Sequence, residues 1–249
     1  MIQATAQRDD RIDPVPASPA IDRIDWARAG EELDERGFAL LPGLLAAGEC
    51  EALAAIYADD ERFRSRVVMA RHGFGRGEYK YFADPLPELV ARLRRDLYPP
   101  LAAIANRWSE ATGDETRYPD DLASFLARCH DAGQTRPTPL LLHYEAGDFN
   151  CLHQDLYGEH VFPLQVAALL SEPGRDFTGG ELVLTEQRPR MQSRVEVVPL
   201  GRGDAVAFAV NRRPVAGTRG VYRVTMRHGV SRVRSGRRDT LGVIFHDAA

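Results

Sequence analysis

A chain of 249 residues, 44% of them hydrophobic and 27% charged, can bury the core of one large domain. No apolar run reaches the roughly 18 residues that cross a bilayer, and the start of the chain lacks the apolar segment of a secretory signal. We therefore expect neither a membrane-bound nor a secreted protein. The three cysteines, Cys50, Cys129 and Cys151, are odd in number and widely spaced. This pattern argues against a disulfide framework and predicts a cytoplasmic protein.

The net charge of −4 hides a strongly basic region. Between Arg188 and Arg238 there are 13 arginines against only two acidic residues, Glu196 and Asp204. A region of this kind can bind phosphates or carboxylates, or it can simply be a set of solvated strand faces.

The first half of the chain predicts a tail followed by helices. Residues 1–20, rich in proline and aspartate, predict a disordered tail. Residues 21–134 predict a mainly helical part that supports the rest of the chain, with one short strand in GFALLPGLL. Helical patterns occur in IDWARAGEELDERG, GECEALAAIYADDERF, PLPELVARLRRDLYPPLAAIANRWSEATG and PDDLASFLARCHDAG. In the third of these, Pro99 and Pro100 predict a break or a kink, because proline removes a backbone donor.

The glycine-rich segment RHGFGRGEYKYF runs from Arg71 to Phe82. A phosphate-binding loop would need a strand before it and a helix directly after it, and EYKYFADP does not have a helical pattern. We expect instead a flexible lid over a binding site, with an ordinary surface turn as the alternative. Its basic and aromatic side chains are candidate substrate contacts: Arg71, Arg76, Tyr79, Lys80 and Tyr81.

The second half, residues 135–249, consists of short apolar runs separated by glycine, proline and asparagine. Eight such runs follow one another: PLLLHYE, NCLHQD, FPLQVAALLS, GELVLTE, RVEVVPL, DAVAFAV, YRVTMRHGV and DTLGVIFH. Their lengths and spacings are typical of a β-barrel or a jelly roll. The sequence therefore predicts an α+β fold in which N-terminal helices pack on about eight strands, with residues 21–249 in one compact domain.

The most informative motif is CLHQDLYG, in which His153 and Asp155 stand two residues apart. On a strand, residues i and i+2 point to the same face, so the two side chains can bind one metal ion. His228 is the best third ligand, because it continues a row of apolar, inward-facing residues on its own strand. Two histidines and one carboxylate occupy one face of an iron atom and leave its other positions open.

A second motif places Arg238 and Thr240 two residues apart on the strand that follows His228. A guanidinium that points into a barrel needs an anionic partner, because an unpaired buried charge is costly. A dicarboxylate cosubstrate would supply that partner, with a hydrogen bond from the Thr240 hydroxyl. Tyr144, on a neighbouring strand, is expected to present its phenol to the same ligand.

The alternation of strand faces also sorts the neighbours of these residues. Arg237 is a rival for the anion-binding role, but alternation assigns it to the opposite face. His143 and Glu145 form a similar H-x-E pair, and they face outward if Tyr144 faces inward. Gly179 and Gly180 are expected to shape a turn or a bulge rather than to contact a ligand.

Taken together, these motifs resemble those of the Fe(II)/2-oxoglutarate-dependent dioxygenases. The order Y-x-x-G-x-F, H-x-D, F-x-G-G-E-L, H-G-V and S-G-x-R-x-T covers residues 144–245 and looks like the prolyl-hydroxylase branch of that superfamily. GFALLPGLL is similar to the start of many such enzymes. More narrowly, RHGFGRGEYKYF and the C-terminal half resemble a bacterial oxygenase family described as AlkB-like, which acts on damaged nucleic acid.

The resemblance implies a double-stranded β-helix, a cupin-like jelly roll. It implies that the H-x-D pair and His228 bind Fe(II), and that Arg238, Thr240 and Tyr144 hold the far carboxylate of 2-oxoglutarate. Dioxygen would be the second cosubstrate, and ascorbate a reductant. The cosubstrate would be decarboxylated to succinate and CO2 while a prime substrate is hydroxylated, or dealkylated where the oxidised carbon is attached to nitrogen.

The sequence leaves the prime substrate open. The basic region favours alkylated nucleic acid, whereas a pI near 6.0 and the lack of a recognised nucleic-acid-binding motif argue against it. The prolyl-hydroxylase layout favours a protein or a small molecule. From another class, a metal-binding sensor barrel without turnover would not need the Arg-x-Thr motif. A zinc hydrolase with the same ligands would lack a general base and would leave Arg238 without a role.

Overall fold

The computed structural model describes residues 20–218 and 220–249, so the tail predicted for residues 1–20 lies, except for Ala20, outside the described residues. The helices of this described part are α1 (Trp26–Arg36), α2 (Ala47–Ile56), α3 (Glu88–Ala111) and α4 (Leu122–Asp131). Short 3-10 turns lie at Ile21–Arg23, Asp60–Arg62 and Met69–Arg71. Within the same residues, no helix is long and apolar enough to cross a membrane.

The strands form two antiparallel sheets. They are β1 (Phe38–Leu41), β2 (Phe63–Val68), β3 (Gly75–Arg76), β4 (Glu78–Phe82), β5 (Leu140–Glu145), β6 (Phe149–His153), β7 (Leu164–Leu169), β8 (Phe177–Gly179), β9 (Leu182–Gln187), β10 (Arg194–Val198), β11 (Ala205–Ala209), β12 (Arg212–Gly217), β13 (Gly220–Val230) and β14 (Val233–Val243). The large sheet has the order β1-β11-β7-β14-β5-β4-β2, with β8 paired to β14. The small sheet has the order β10-β9-β13-β6-β3, with β12 paired to β13.

The two sheets pack face to face, and helices cover the outside of the large one. Ala167 and Phe208 of the large sheet pack with Leu182 and Leu184 of the small sheet. On β7 every residue is buried, because the other face of the strand packs with α3 in the main core. The predicted α+β fold, a double-stranded β-helix with helices packed on it, is therefore confirmed.

Helix α1 is fixed to the small sheet by a buried arginine. The helix ends before Gly37, which has a φ of +80° and would place a Cβ only 2.8 Å from Cδ of Arg213. Arg213 donates to the carbonyls of Asp34 and Glu35 and binds the carboxylate of Glu186 on β9. The free carbonyls at the helix end thus receive donors, and Gly37 ends the helix in the left-handed conformation.

Helix α3 continues through Pro99 and Pro100 as one helix, so a break there is wrong, while a kink stays a prediction. Proline leaves the carbonyl four residues earlier without its helical donor. Those carbonyls belong to Arg95 and Asp96, and Arg95 is exposed while Asp96 is only partly buried. Water can bind carbonyls on this side, so the buried face keeps its ladder and the helix persists.

The segment from Phe63 to Phe82 corrects another prediction. The helix expected to reach Phe63 ends at Ile56, and the predicted lid contains strands. β4 lies inside the large sheet, hydrogen-bonded to both β2 and β5. The aromatic and β-branched residues of β2 and β4 favour extended structure, and sheet pairing on both sides fixes it. A flexible lid is therefore wrong for Glu78–Phe82.

Candidate metal centre

Three potential metal ligands meet on the inner face of the small sheet. His153 of β6 and His228 of β13 are direct cross-strand partners, and their ring centroids are 4.2 Å apart. Asp155 follows the end of β6, with Oδ1 3.6 Å from Nε2 of His153 and Oδ2 3.2 Å from Nε2 of His228. One ligand atom from each residue lies within 4.8 Å of the others. The structure thus brings together the three ligands that the sequence predicts.

Hydrogen bonds orient these side chains. Nδ1 of His153 donates to the carbonyl of Cys151 at 2.8 Å, which leaves Nε2 with a free lone pair for a metal. The Tyr157 hydroxyl donates to Oδ1 of Asp155 at 2.7 Å. Gln154 points the other way and donates to the carbonyl of Met226 at 2.8 Å. The H-x-D pair therefore aims at one point although Asp155 lies just beyond the strand.

The electrostatics of the group suit a divalent cation. Burial raises the pKa of the Asp155 carboxyl, but hydrogen bonding and charge from His228, then His153 and Tyr157, hold that pKa below its usual range. Burial, followed by the neighbouring His228, lowers the pKa of His153. The site therefore offers an ionised carboxylate and a neutral imidazole, the forms in which both groups bind metal. Two nitrogens and one oxygen with open positions beside them fit Fe(II).

A cavity of about 220 Å³ lies beside the three ligands, between the two sheets. Its wall is made mainly of apolar and aromatic side chains, including Tyr79, Tyr81, Tyr157, Leu140 and Ile244. Gly242 of β14 and Ala167 of β7 are cross-strand partners in this wall. Because both are small, they leave room for a ligand opposite the metal ligands.

Arg238 is the second notable feature of the cavity. It is 2% exposed, and its Nη1 donates to Oγ1 of Thr240 at 2.6 Å. Its Nε has no partner, and no carboxylate of the described residues lies within ion-pair distance of the guanidinium. Burial lowers the pKa of Arg238. A buried cation without an anion is costly, so this group fits a ligand carboxylate.

The surroundings of Arg238 agree with such a ligand. Tyr144 is its cross-strand partner on β5 and lines the cavity. The centroid of the Tyr144 ring lies 5.6 Å from Cζ of Arg238. Burial raises the pKa of Tyr144 to about 12, so its hydroxyl stays protonated and can donate. Gly180 has a φ of +65°, and a Cβ there would lie 3.0 Å from Cδ of Arg238. This turn residue lets the chain pass close to the arginine.

The outward-facing neighbours occupy the other side of the large sheet. Arg237 is exposed and pairs with Asp239 at 3.0 Å, away from the cavity. His143 binds the same aspartate at 2.7 Å and stacks on Tyr57, and Glu145 is exposed. The predicted alternation of inward and outward residues is confirmed for these positions.

The predicted substrate contacts divide into two groups. Tyr79 and Tyr81 line the cavity, whereas Arg71 and Arg76 are exposed outside it. Lys80 corrects the prediction, because its Nζ points to the opposite face of β4 and binds Asp60 at 2.6 Å. Alternation on the strand explains the difference, since residues 79 and 81 share one face and residue 80 the other.

Sequence reasoning missed several residues of the site. Tyr157 contacts Asp155 from two residues further along, so the motif H-x-D-x-Y carried a signal for it. Gln165 and Phe208 also line the cavity. Each lies in a mostly apolar strand, where the sequence gives no sign of a role in the site. His246, close to the end of the chain, is fully buried, and its Nδ1 accepts from the backbone NH of Phe162.

Comparison with known proteins supports the same chemistry. A family model described as "Oxygenase, catalysing oxidative methylation of damaged DNA" matches residues 77–248. Uncharacterized proteins in two strains of Mycobacterium tuberculosis are each 51% identical to this chain over 168 residues. The matched region is 68% of this chain and 72% of each relative.

Solved structures extend the likeness to the fold. An oxidoreductase of the 2OG-Fe(II) oxygenase family from Burkholderia pseudomallei has a TM-score of 0.52 and 19% identity, over 91% of this chain and 94% of its own. A prolyl hydroxylase from Trichoplax adhaerens, solved with a hypoxia inducible factor peptide, has a TM-score of 0.51 and 14% identity, over 89% of each chain. These solved structures share the fold of this chain. The chain belongs to the oxygenase family whose model matches residues 77–248, and its His153, Asp155 and His228 group can hold a metal ion.

Proposed function

We propose that His153, Asp155 and His228 bind Fe(II), and that Arg238 and Thr240 hold the far carboxylate of 2-oxoglutarate, assisted by Tyr144. The observation that carries this proposal is a buried guanidinium without an anion in the same cavity as three converging metal ligands. A structural cation would have an acidic partner, and a structural metal site would not need an arginine beside it.

When bound, the iron with 2-oxoglutarate and O2 supplies oxidative decarboxylation to succinate and CO2, coupled to oxidation of a C–H bond. Each of the site residues has a defined part in this chemistry. His153 and His228 present ring nitrogens to the metal, and Asp155 contributes one negative charge that Tyr157 holds in place. Arg238 orients the cosubstrate by its far end. The apolar wall limits the entry of water.

We further propose that the oxidised carbon is an alkyl group on a nucleic-acid base. Asp155 and Arg238 are the only charged side chains among the described residues that line the cavity, apart from its histidines. The remaining wall near Asp155 carries the phenols of Tyr79, Tyr81 and Tyr157. Flat, weakly polar walls suit an aromatic base turned out of its strand. The family described as acting on damaged DNA supports the same choice.

The cavity rim supports contact with a nucleic-acid strand. Phe74 lines the cavity yet is 48% exposed, and it stacks on His72 with ring centroids 5.3 Å apart. Next to it, the guanidinium of Arg232 lies 4.8 Å above the ring of Phe149, and Arg76 is the cross-strand partner of Phe149. Exposed aromatic rings with cations beside them bind bases and phosphates.

The test is succinate formation with defined substrates, at fixed Fe(II), 2-oxoglutarate and ascorbate. A single-stranded oligonucleotide with an N-methylated base should stimulate succinate formation and release formaldehyde, and the unmodified oligonucleotide should do neither. Binding should weaken as salt rises, because phosphate contacts release counterions. Stimulation by a proline-containing peptide or a small metabolite, and not by the oligonucleotide, would reject the nucleic-acid substrate.

The rim is tested by Arg232→Ala with Arg175→Ala as its matched control. Arg175 is exposed, is bound to its neighbour Asp176, and does not line the cavity. Loss of one phosphate contact should lower the salt slope of binding by about one. Equal binding by both variants would remove Arg232 from the strand contact.

We also propose that residues 21–249 act as one domain in the cytoplasm. The main core contains residues of α1, α3 and α4 together with residues of the large sheet, which supports a single unit. Cys50, Cys129 and Cys151 are free thiols, as a reducing compartment would keep them. Co-fractionation with cytoplasmic markers would test the location.

A further inference from the structure

A buried amide lies against the proposed metal site. Gln165 of β7 is 6% exposed, lines the cavity, and has its Nε2 3.5 Å from Nε2 of His228. Its Oε1 has no hydrogen-bond partner. Its cross-strand partner is Phe208, whose ring packs 4.8 Å from that of His228. A polar side chain is thus aimed at the site from an apolar wall.

The hydrogen bonds of the Gln165 side chain do not explain why a polar residue stands at this position. A metal takes the lone pair of His228 Nε2, so the one contact that Gln165 makes is lost when metal binds. Both polar ends of the amide then face the metal and the cavity. A buried amide without a hydrogen-bond partner lowers the stability of the fold, so we expect a group in the site to bind it.

The position of Gln165 limits what that partner can be. Thr240 is the cross-strand partner of Leu169, four residues further along β7. Four residues of a strand span about 13 Å, which exceeds the length of a five-carbon diacid. A cosubstrate held by Arg238 and Thr240 therefore cannot satisfy Gln165 with its far carboxylate. The keto acid end of the cosubstrate, at the metal, carries only acceptor oxygens, so the partner of Oε1 must be another group at the metal that can donate a hydrogen bond.

We infer that Gln165 is a positioning residue that holds a water molecule in the metal position left free by the protein ligands and 2-oxoglutarate. The inference rests on the metal site proposed above. A divalent cation polarises its water and makes it a strong donor, and Oε1 of Gln165 is an acceptor without a competitor. Retained water keeps the position closed until the prime substrate enters, which couples decarboxylation to substrate.

The experiment replaces iron with Co(II), whose visible absorption is weak in six-coordinate sites and stronger in five-coordinate ones. The Co(II) and 2-oxoglutarate complex is compared for wild type, Gln165→Leu and Gln165→Met, the latter keeping the side-chain length. Both variants should show several-fold stronger bands, with unchanged affinity for 2-oxoglutarate. With Fe(II) and ascorbate as reductant, both should consume 2-oxoglutarate several-fold faster without a prime substrate. Gln187→Leu, on the outside of β9, is the matched control and should behave as wild type.

Each of the other outcomes would overturn either the role of Gln165 or the proposed metal site. Unchanged Co(II) spectra in both variants would show that Gln165 holds no water. A large loss of 2-oxoglutarate affinity would assign the amide to the cosubstrate instead, and would also overturn the inference. If wild type itself bound no Co(II), the proposed metal site would fall, and the inference with it. If the wild-type protein binds Co(II) and the variants do not differ from it, the inference about Gln165 fails while the proposed metal site stands.

Discussion

Two buried cations on the large sheet illustrate how a structural charge differs from one that binds a ligand. Lys80, on the outer face of β4, is 5% exposed and fully partnered, since its Nζ donates to Asp60 at 2.6 Å and to the carbonyl of Tyr57 at 2.8 Å. Arg238, on the inner face of β14, is 2% exposed, and among the described residues its side chain donates a hydrogen bond only to the Thr240 hydroxyl. Burial alone does not separate the two residues, whereas the presence of an anionic partner does.

The outer face of β14 strengthens the comparison. Asp239, directly after Arg238 in the sequence, binds both His143 and Arg237. The backbone NH of Asp239 donates to the hydroxyl of Ser171 at 2.8 Å. Charges on this face are neutralised within the protein, so they stabilise the fold. We infer that the inner face is arranged for ligands, and four predictions test that inference.

The largest effect is expected for the metal ligands. Asp155→Ala should abolish succinate formation and weaken Fe(II) binding by more than about 100-fold, since even an outer partner of a metal ligand is worth 10–100-fold. Metal affinity is measured by competition with a chelator. His143→Ala removes a histidine from the outer face and should leave Fe(II) binding unchanged. Wild-type affinity in Asp155→Ala would exclude that carboxylate from the site.

Arg238→Ala should raise the Kd for 2-oxoglutarate without changing metal affinity. Loss of a charge-assisted contact to a carboxylate costs about 2–5 kcal/mol, which corresponds to a rise of about 30-fold or more. Arg237→Ala, one residue away and outward-facing, is the matched control. The comparison between the faces would fail if the two variants bound 2-oxoglutarate equally well.

His246 is another buried basic group, and it lies three residues after the end of β14. Its Nδ1 accepts from Phe162, and burial lowers its pKa to about 4. The unfolded chain takes up a proton near pH 6.5 and the folded one only near pH 4, so acid favours unfolding. The free energy of unfolding of the metal-free protein should fall by about 2 kcal/mol from pH 7 to pH 5.

The matched variant for this pH effect is His246→Asn, which keeps an acceptor for Phe162 and cannot take up a proton. Denaturant unfolding at both pH values should show a smaller pH dependence in this variant. An identical loss of stability in wild type and variant would assign the effect to other groups.

The smallest effect is expected for Lys80→Met. Removing its charge-assisted hydrogen bonds should lower the free energy of unfolding by about 1–2 kcal/mol, because Asp60 is exposed and can be solvated. The Kd for 2-oxoglutarate and substrate turnover should not change. A change in turnover without a change in stability would contradict the structural role of this lysine.

The strands and metal ligands of the C-terminal half could be predicted because alternation is visible there. In β13, Val224, Met226 and His228 are buried while Arg223 and Arg227 are exposed, as a half-buried strand requires. The same rule separated Arg238 from Arg237. These assignments depend on local periodicity, which the sequence carries directly.

The errors have a common physical cause, since each depends on contacts distant in sequence. The tyrosines of EYKYF alternate as in a strand, but the glycines before them suggested a loop, and pairing with β5 was not visible. Lys80 finds its partner 20 residues earlier, and α3 passes through Pro99 and Pro100 because tertiary packing stabilises its buried face. Gln165 resembles any polar residue in a strand until its neighbours in space are known.

The direct pairing of His153 with His228 has a consequence for the maturation of the enzyme. A slip of one residue between β6 and β13 would turn one imidazole away from the other, so only the native alignment presents both histidines to the proposed metal. Metal binding at the proposed site would therefore stabilise this alignment over its competitors. Iron-starved cells should accumulate more misassembled chains than iron-replete ones.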